Sequence, residues 1–493
     1  MEPREVLNSL RENNRALLIV GLGISGIETA KFCLRSGISV IAAERTSRED
    51  FISKGKFLAE LAEIERQGVQ VHFGVDGEGA AGLVERAGLV VMSPGVSFES
   101  AIAGALRRRP LPIIGELELG LGLLDQPSVV VTGSNGKSTT VSLLDHFALQ
   151  AGINSFLCGN VGCPVISAVP GLGSDAKVTR DPAPEILVVE ASSYQLESCS
   201  VIRPKVGVLL NLTENHLERH GSMQRYFEAK AILFSNQQPG DYAVLNYDDR
   251  WCRELGSRLK ASVYWFGTDP ALKQQRSCAL INYEGGACDE IFLEIDGGRE
   301  RYDLHSSRLI GLHNRYNLAA AILSARLLGV RAEAIAAGLR SFTPLEHRLE
   351  FVAVPSGAAV INDSKSTTVA AAVAAFRCVD QIYPGRRIIC MIGGLAKAGS
   401  WQGLMTAFKQ RAGYLKPIIL FGKDAGILAA HCKAAGLPHL RGANLSSAVE
   451  LARAQTEGDD IVLFTPGCAS FDEFLDFEER GRCFKKLVVE VFR

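Results

Sequence analysis

The chain is short of the features that would assign its class at once. It has no run near the about 18 apolar residues that a membrane-crossing helix requires, so membrane insertion is not expected. It has no excess of charge. With 53 Lys+Arg against 54 Asp+Glu the formal net charge is −1, which gives no reason to expect a nucleic acid or an anionic membrane as partner. Its 12 cysteines, scattered from Cys33 to Cys483, include no C-x-x-C pair. Cys158 and Cys163 are the nearest two, with no matching ligand pair beside them. Buried free thiols in a reducing compartment are therefore expected, and with them a cytoplasmic location. The opening MEPREVLNSLRENNR is too polar for a secretory signal. No internal repeat or low-complexity tract is present.

What remains is a globular composition, 47% hydrophobic and 22% charged, in 493 residues. That length implies about two to four domains. The 49 glycines, many just after β-branched runs, point to repeated strand–turn–helix units.

One absence is local. In VVVTGSNGKSTTV the phosphate-loop pattern G-x-x-x-x-G-K-[ST], aligned on Gly136, Lys137 and Ser138, wants glycine where Val131 stands. A glycine comes two places late, at Gly133. The physical requirements survive the shift. Residues 129–132 read as a buried strand and 140–151 as a helix with Leu143, Leu144, Phe147 and Ala148 on one side. Between them two glycines allow close backbone approach, a helix N-terminus offers free N–H groups, Lys137 adds charge and Ser138 a hydroxyl for Mg²⁺.

Three blocks follow one another. In the first, residues 17–20 and 40–43 read as strands around the G-x-G-x-x-G of Gly21, Gly23 and Gly26, with a helix over 27–36 and an acid at Glu44. That fingerprint by itself argues for NAD, although pyrophosphate on a helix N-terminus does not require nicotinamide. Residues 89–92 give another strand before Ser93-Pro94-Gly95, and the basic, proline-bounded stretch 107–112 reads as a boundary. In the second block, strands 186–189 and 206–210 lead into Glu190 and into Asn211, Glu214 and His216. A helix over 311–329 carries Asn314 and Asn317 on one face. In the third, strands 360–361, 388–392 and 461–464 lead into Asn362-Asp363-Ser364-Lys365, Gly393 to Lys397, and Thr465 to Ser470, with a helix over 471–484. The expected fold is α/β in three domains: 1–110 Rossmann-like, 111–343 a phosphate-loop ATPase type, and 344–493 Rossmann-like. Singly, each polar residue has a plain alternative: Glu190 near a helix cap, His216 in a polar loop, Arg348 on the surface, Lys365 in a local ion pair, Lys230 as a solvated cation. Their recurrence at strand ends, where doubly wound sheets bind ligands, weakens those alternatives together.

TGSNGKST, EASSYQLE, NLTENHLERHGS, GLHNRYN, LEHRLE, NDSKSTT and TPGCASFDEF occur in the order found in the Mur ligases, which the chain resembles over essentially its whole length. The family's loop is similar to T-G-x-x-G-K-[ST], so Val131 belongs to the strand. The likeness is to the branch that adds D-glutamate to UDP-N-acetylmuramoyl-L-alanine through an acyl phosphate, with ATP and two Mg²⁺ ions, in cytoplasmic peptidoglycan precursor synthesis. A nicotinamide oxidoreductase would leave Lys137 idle, and a non-catalytic nucleotide-binding regulator would release no phosphate.

The resemblance implies residue roles. ATP would be held by Gly133, Ser134, Asn135, Gly136, Lys137, Ser138 and Thr139, with Asn314 and Asn317 at adenine and Arg348 and Asp363 reaching the nucleotide. Ser138, Glu190, His216 and Lys230 would ligate Mg²⁺, Lys230 as a CO₂-derived carbamate. Lys137, Glu190, His216 and Lys230 would form the catalytic set. The UDP substrate would lie on Ile24, Ser25, Glu44, Arg45, Ser93, Pro94 and Gly95, and reach Asn160 and His216. D-glutamate would meet Thr368, Lys397, Ser470, Phe471 and Phe477. The chain would act as a monomer. Two departures stand out: Asn215 precedes His216 where relatives commonly have Asp, and Glu218 also replaces an Asp.

Overall fold

The computed structural model describes residues 3–53, 57–97, 99–108, 111–172, 183–275, 277–284, 287–309, 311–344, 346–396 and 400–493. Two compact units are present. One comprises Met1–Asn282, Asp289–His305 and Tyr316–Arg340, the other Tyr283–Cys288, Ser306–Arg315 and Ser341–Arg493. Three sheets succeed one another along the chain, as an α/β protein of three blocks requires.

The first sheet runs, in spatial order, Gln70–His72, Val40–Ala43, Ala16–Val20, Ala87–Met92, Ile113–Gly115, all parallel. Parallel strands covered on both faces need uninterrupted apolar runs, and ALLIV at Ala16–Val20 is buried at every position. Ile113–Gly115, beyond the stretch read as a boundary, adds the fifth strand. The helix Ile24–Arg35 starts at Gly23. Gly21 takes φ +93°, and a Cβ on Gly26 would lie 2.2 Å from the Gly21 carbonyl oxygen, so side chains at these two positions would block the tight turn.

The second sheet runs Gly298–Asp303, Ala287–Ile295, Cys278–Glu284, Ser262–Gly267, Tyr242–Asn246, Val206–Leu209, Ser128–Thr132, Ile186–Glu190, Ser155–Gly159. Ser128–Thr132 therefore has Val206–Leu209 on one side and Ile186–Glu190 on the other. The helix Lys137–Gln150 packs Val141, Leu143, Leu144, Phe147 and Ala148 into the interior. Full burial of each of the larger side chains stabilises by about 1.5–3 kcal/mol. One feature departs from the expected strand–loop–helix rhythm. Ala287–Ile295 and Gly298–Asp303 form an antiparallel hairpin. Its turn is Asp296-Gly297, with φ +50° and +82°, a strong hairpin dipeptide that the strand–helix reading passed over.

The third sheet runs Glu350–Val352, Ala359–Asn362, Ile461–Gly467, Ile388–Gly393, Ile418–Phe421, His439–Arg441, parallel except for Glu350–Val352. Two boundaries differ from expectation. The segment Thr465-Pro466-Gly467, read as loop, continues the strand Ile461–Gly467. The last helix spans Phe477–Val491 rather than starting at Phe471, because the Asp476 side chain accepts from the Glu479 N–H and caps it there.

Among the described residues no helix is long and apolar enough to cross a membrane. Nine described cysteines are buried free thiols and Cys483 is partly so. Cys163 departs from the expectation: it is exposed, just past the turn that Gly159 makes at φ +99°.

Candidate active site

The phosphate loop is assembled by three glycine- and asparagine-dependent contacts. Gly136 sits in the left-handed region at φ +90° and caps the helix Lys137–Gln150, which begins three residues before the expected start. A Cβ on Gly136 would fall 2.2 Å from Oδ1 of Asn317, so this asparagine lies on the loop itself. Asn135 N donates to Oδ1 of Asn211 at 2.9 Å, and Asn135 Nδ2 to Oγ1 of Thr213 at 3.2 Å. The Lys137 ammonium folds back over the loop, donating to the carbonyls of Gly133 at 2.8 Å and Ser134 at 3.1 Å. Ser138 and Thr139 are buried in the first helical turn. The result is a cation and a helix N-terminus at one loop, which suits a polyphosphate. Asn314, one turn before Asn317 in the helix Leu312–Leu327, is also buried.

Beside this loop lie the acid and the lysine. Glu190 is the last residue of Ile186–Glu190, not the start of a helix cap, which Ser192 supplies. Its Oε1 accepts from Asn160 Nδ2 at 2.8 Å, while Oε2 is buried and meets no hydrogen-bond partner among the described residues. An orphaned carboxylate oxygen is costly unless a cation or donor meets it. Lys230 is 1% exposed, so the solvated reading fails. Its Nζ donates to Thr132 Oγ1 at 3.2 Å and to the Gly133 carbonyl at 3.1 Å, and lies 4.8 Å from the Tyr226 ring centroid. Burial, and then the charge of Lys137, hold its pKa well below the ordinary lysine value, with Glu190 opposing. His216 takes φ +56° at the head of the helix Leu217–His220, and its Nδ1 lies 2.9 Å from Tyr194 Oη. Both substituted neighbours are near the surface: Asn215 Oδ1 accepts from the His216 N–H, and Glu218 is exposed, 3.5 Å from Nδ1.

A cavity of about 810 Å³ opens at the carboxyl ends of the first sheet. It is lined by residues 21–25 (Ile24 and Ser25 among them), by Glu44 and Arg45, and by Ser93, Pro94 and Gly95. Gly159 at the end of its strand, Asn160 just after it and Gln195 of the short helix Ser193–Leu196 complete the wall. Glu44 braces the glycine loop: Oε2 accepts from Leu22 N at 3.0 Å and Oε1 from Thr46 N at 3.0 Å. One ligand lying here would touch the glycine loop at one end and Asn160, which holds Glu190, at the other.

In the third sheet the strand ends of Ala359–Asn362, Ile461–Gly467 and Ile388–Gly393 are neighbours, bringing their loops to one edge. Asp363 is buried, accepts from Leu349 N and from Thr465 Oγ1, and is pushed up to about 7 by burial. Arg348, two residues past Glu346, is half-buried and counters that rise with its charge. Thr368 caps the helix Val369–Ile382, Ser470 is buried, and Phe471 is 69% exposed. Phe477 takes Lys365 Nζ at 4.7 Å from its ring centroid. Lys397 lies outside the described residues.

Several residues were not singled out from the sequence. Gln195 lines the cavity and was readable as the fourth residue of the capping box Ser192-x-x-Gln195. Tyr226, with Oη 3.1 Å from Ser134 Oγ, had only its place in the helix Met223–Ala231 as a signal. Arg480, buried, donates to the Ser364 and Cys468 carbonyls at 2.7 and 3.0 Å and staples two loops of the third sheet. Nothing local announces it.

Comparison with known proteins agrees with this arrangement. The Mur ligase middle domain matches residues 131–325, and the Mur ligase glutamate ligase domain matches residues 347–468. A UDP-N-acetylmuramoylalanine–D-glutamate ligase of Pelotomaculum thermopropionicum is 36% identical over 482 residues, 97% of this chain and 98% of that one. A relative of the same name from Geotalea uraniireducens is 36% identical over 486 residues, 96% and 97% of the two chains. Among solved structures, MurF from Acinetobacter baumannii matches at TM-score 0.61 and 16% identity, over 99% of this chain and 98% of that one. MurF ligase from Thermotoga maritima, in complex with ADP, matches at TM-score 0.58 and 18% identity, over 92% and 95%. Near-full-length identity above 30% is decisive where the structural likenesses speak for the fold alone: the chain belongs to the Mur ligase family.

Proposed function

We propose that the chain is an ATP-dependent amide ligase that joins D-glutamate to UDP-N-acetylmuramoyl-L-alanine, a step of peptidoglycan precursor synthesis in the cytoplasm. The observation that carries the reading is the continuity from the first-sheet cavity through Asn160 to Glu190, whose free oxygen lies beside a loop built for polyphosphate. A nicotinamide enzyme uses the first half of that path and has no need of the second.

The chemistry is that of the family, and these residues can carry it. The terminal carboxylate of the UDP substrate attacks the γ-phosphorus of ATP, ADP leaves, and an acyl phosphate forms. The D-glutamate amine then attacks the acyl carbon, loses a proton, and phosphate departs. Little covalent work falls to the protein, so catalysis rests on positioning and charge. Residues 133–139 bind the phosphates, and Lys137 neutralises charge as it moves from the γ-phosphoryl group to ADP. Asn317 lies at the loop, so its amide is assigned to the phosphate end of the nucleotide, with Asn314 toward adenine and Arg348 and Asp363 contributing from the third block. The orphaned oxygen of Glu190 and the Ser138 hydroxyl fit one Mg²⁺, with the buried Lys230 as a further donor once carbamylated, and His216 would hold a second ion. When bound, the two ions would polarise the γ-phosphoryl group and the substrate carboxylate.

Lys230 is assigned as a carbamate. Its suppressed pKa supplies the neutral amine that attacks CO₂ with loss of a proton, and the product replaces a cation by an anionic oxygen donor. Ile24, Ser25, Glu44, Arg45, Ser93, Pro94 and Gly95 would hold uridine diphosphate, and Asn160 with His216 the muramoyl-alanine end. Thr368, Lys397, Ser470, Phe471 and Phe477 would receive D-glutamate. The domains are assigned as 1–110, 111–343 and 344–493, with Ile113–Gly115 returning to the first sheet, and the active species as a monomer. The test is phosphate release from ATP: it should require both UDP-N-acetylmuramoyl-L-alanine and D-glutamate, and equal release without the UDP-sugar excludes a ligase.

A further inference from the structure

Arg219 follows His216 by three residues, in the helix Leu217–His220. Its side chain is 11% exposed, so it is not one of the solvated ion pairs that contribute little. Nε and one terminal nitrogen donate to Oε2 of Glu197 at 3.1 and 2.6 Å. The two terminal nitrogens also donate to the carbonyls of Pro94 and Val96, both at 3.3 Å. Those carbonyls stand more than 120 residues earlier, on the loop that walls the first-sheet cavity. The same loop is tied to the glycine turn, since Ser93 Oγ donates to the Gly21 carbonyl at 2.6 Å.

On its other face the guanidinium lies 4.4 Å from the ring centroid of Tyr194, whose hydroxyl meets His216 Nδ1. A histidine that ligates through one ring nitrogen needs the other held, and Tyr194 Oη does this when it accepts from Nδ1–H. The planar fork of arginine is what lets one side chain serve a carboxylate, two carbonyls and an aromatic ring at once.

We propose that Arg219 is a positioning residue that fixes the cavity loop carrying Pro94 and Val96 relative to His216, so that a substrate anchored by its uridine diphosphate presents its far end at the reacting centre. This rests on the ligase reading of the cavity. Arg219 touches no reacting atom. It sets the distance between two sites that one substrate must span, and misplacement by about 1 Å of a bound group is enough to cost about a hundredfold in rate.

The test uses the full-length enzyme and its Arg219→Ala, Arg219→Lys and Tyr194→Phe variants, with two readouts. The first is the rise in Tm caused by UDP alone and by ADP alone. Arg219→Ala should lose most of the UDP rise and keep the ADP rise. The second is kinetic. In Arg219→Ala, KM for the UDP substrate should climb about tenfold and kcat fall about tenfold, while KM for ATP and D-glutamate stay within about twofold. Arg219→Lys keeps the pairing with Glu197 but lacks the fork, and should recover part of kcat. Tyr194→Phe should lower kcat and leave the UDP rise intact. Should Arg219→Ala fail to fold, the lysine and phenylalanine variants carry the test: no selective UDP effect in the first, or a lost UDP rise in the second, overturns the proposal. So do unchanged UDP binding and KM in Arg219→Ala, or equal losses for all three substrates. If the unmutated enzyme releases no phosphate with these substrates yet the UDP rise still depends on Arg219, the ligase reading falls while the loop-fixing role stands.

Discussion

Asn160 Nδ2 donates to Oε1 of Glu190 at 2.8 Å, and Oε2 of the same carboxylate is buried with no hydrogen-bond partner among the described residues. One substrate-cavity residue thus orients the acid assigned to Mg²⁺ and leaves its second oxygen for the ion. Glu190→Gln should lower turnover by about 100-fold or more, while Asn160→Ala should cost about tenfold and raise the Mg²⁺ concentration needed for half-maximal rate. Steady-state kinetics across a Mg²⁺ series checks both. Unaltered Mg²⁺ dependence in Asn160→Ala would detach the amide from the metal site.

Lys230→Ala should nearly abolish turnover and leave ADP binding, measured by calorimetry, largely intact. A short carboxylic acid added to that variant should restore part of the rate by supplying the lost oxygen donor. ¹³CO₂ labelling of the unmutated protein, followed by NMR, looks for the carbamate directly. Wild-type turnover by Lys230→Ala in CO₂-depleted buffer removes both the carbamate and the ligand role.

Glu116 heads the helix Glu116–Leu121 and is 1% exposed. Burial raises its pKa from 4.5 to about 7, opposed by hydrogen bonds from Ile166 N and Val165 N and from Ser25, with Glu28 adding to the rise. An acid whose pKa is raised by folding contributes its stability fully below about 4.5, and loses it as pH climbs through 7. Glu116→Gln keeps an acceptor for the Ile166 N–H and does not ionise. It should be more stable than the parent at pH 8, by about 1–3 kcal/mol, with the gap closing toward pH 5. Thermal melts across that range decide it, and parallel curves would contradict a buried, ionising Glu116.

UDP should raise the Tm of the full chain while NAD and NADP do not, because the ligase reading gives the Gly21–Gly26 turn a uridine diphosphate and leaves nicotinamide no role. Tight NAD binding would revive an oxidoreductase.

Much of the site was legible because its residues sit at chain-local punctuation. Gly133, Gly136 and Lys137 mark a strand-to-helix turn whatever the rest of the fold does, and Glu190 and His216 fall just where apolar runs stop. Errors came at helix ends decided by one residue's backbone or one capping hydrogen bond. Gly136 caps its helix early through a left-handed backbone, and Asp476 delays the last helix by six residues. Arg219, Tyr194 and Arg480 were opaque for a different reason. Their partners lie in distant segments or depend on side-chain packing, and an arginine in a polar stretch of sequence looks the same whether it is solvated or stapling two loops.

The central claim is that this site forms an amide between the UDP substrate and D-glutamate. The most direct measurement incubates the enzyme with ATP, Mg²⁺ and UDP-N-acetylmuramoyl-L-alanine against a panel of D-glutamate, L-glutamate, L-lysine and diaminopimelate, following phosphate and the mass of the UDP-linked product together. The account predicts one phosphate for each molecule of D-glutamyl product, and fastest turnover with D-glutamate. Faster product formation with any other amino acid, or phosphate release with no amide product, would contradict it.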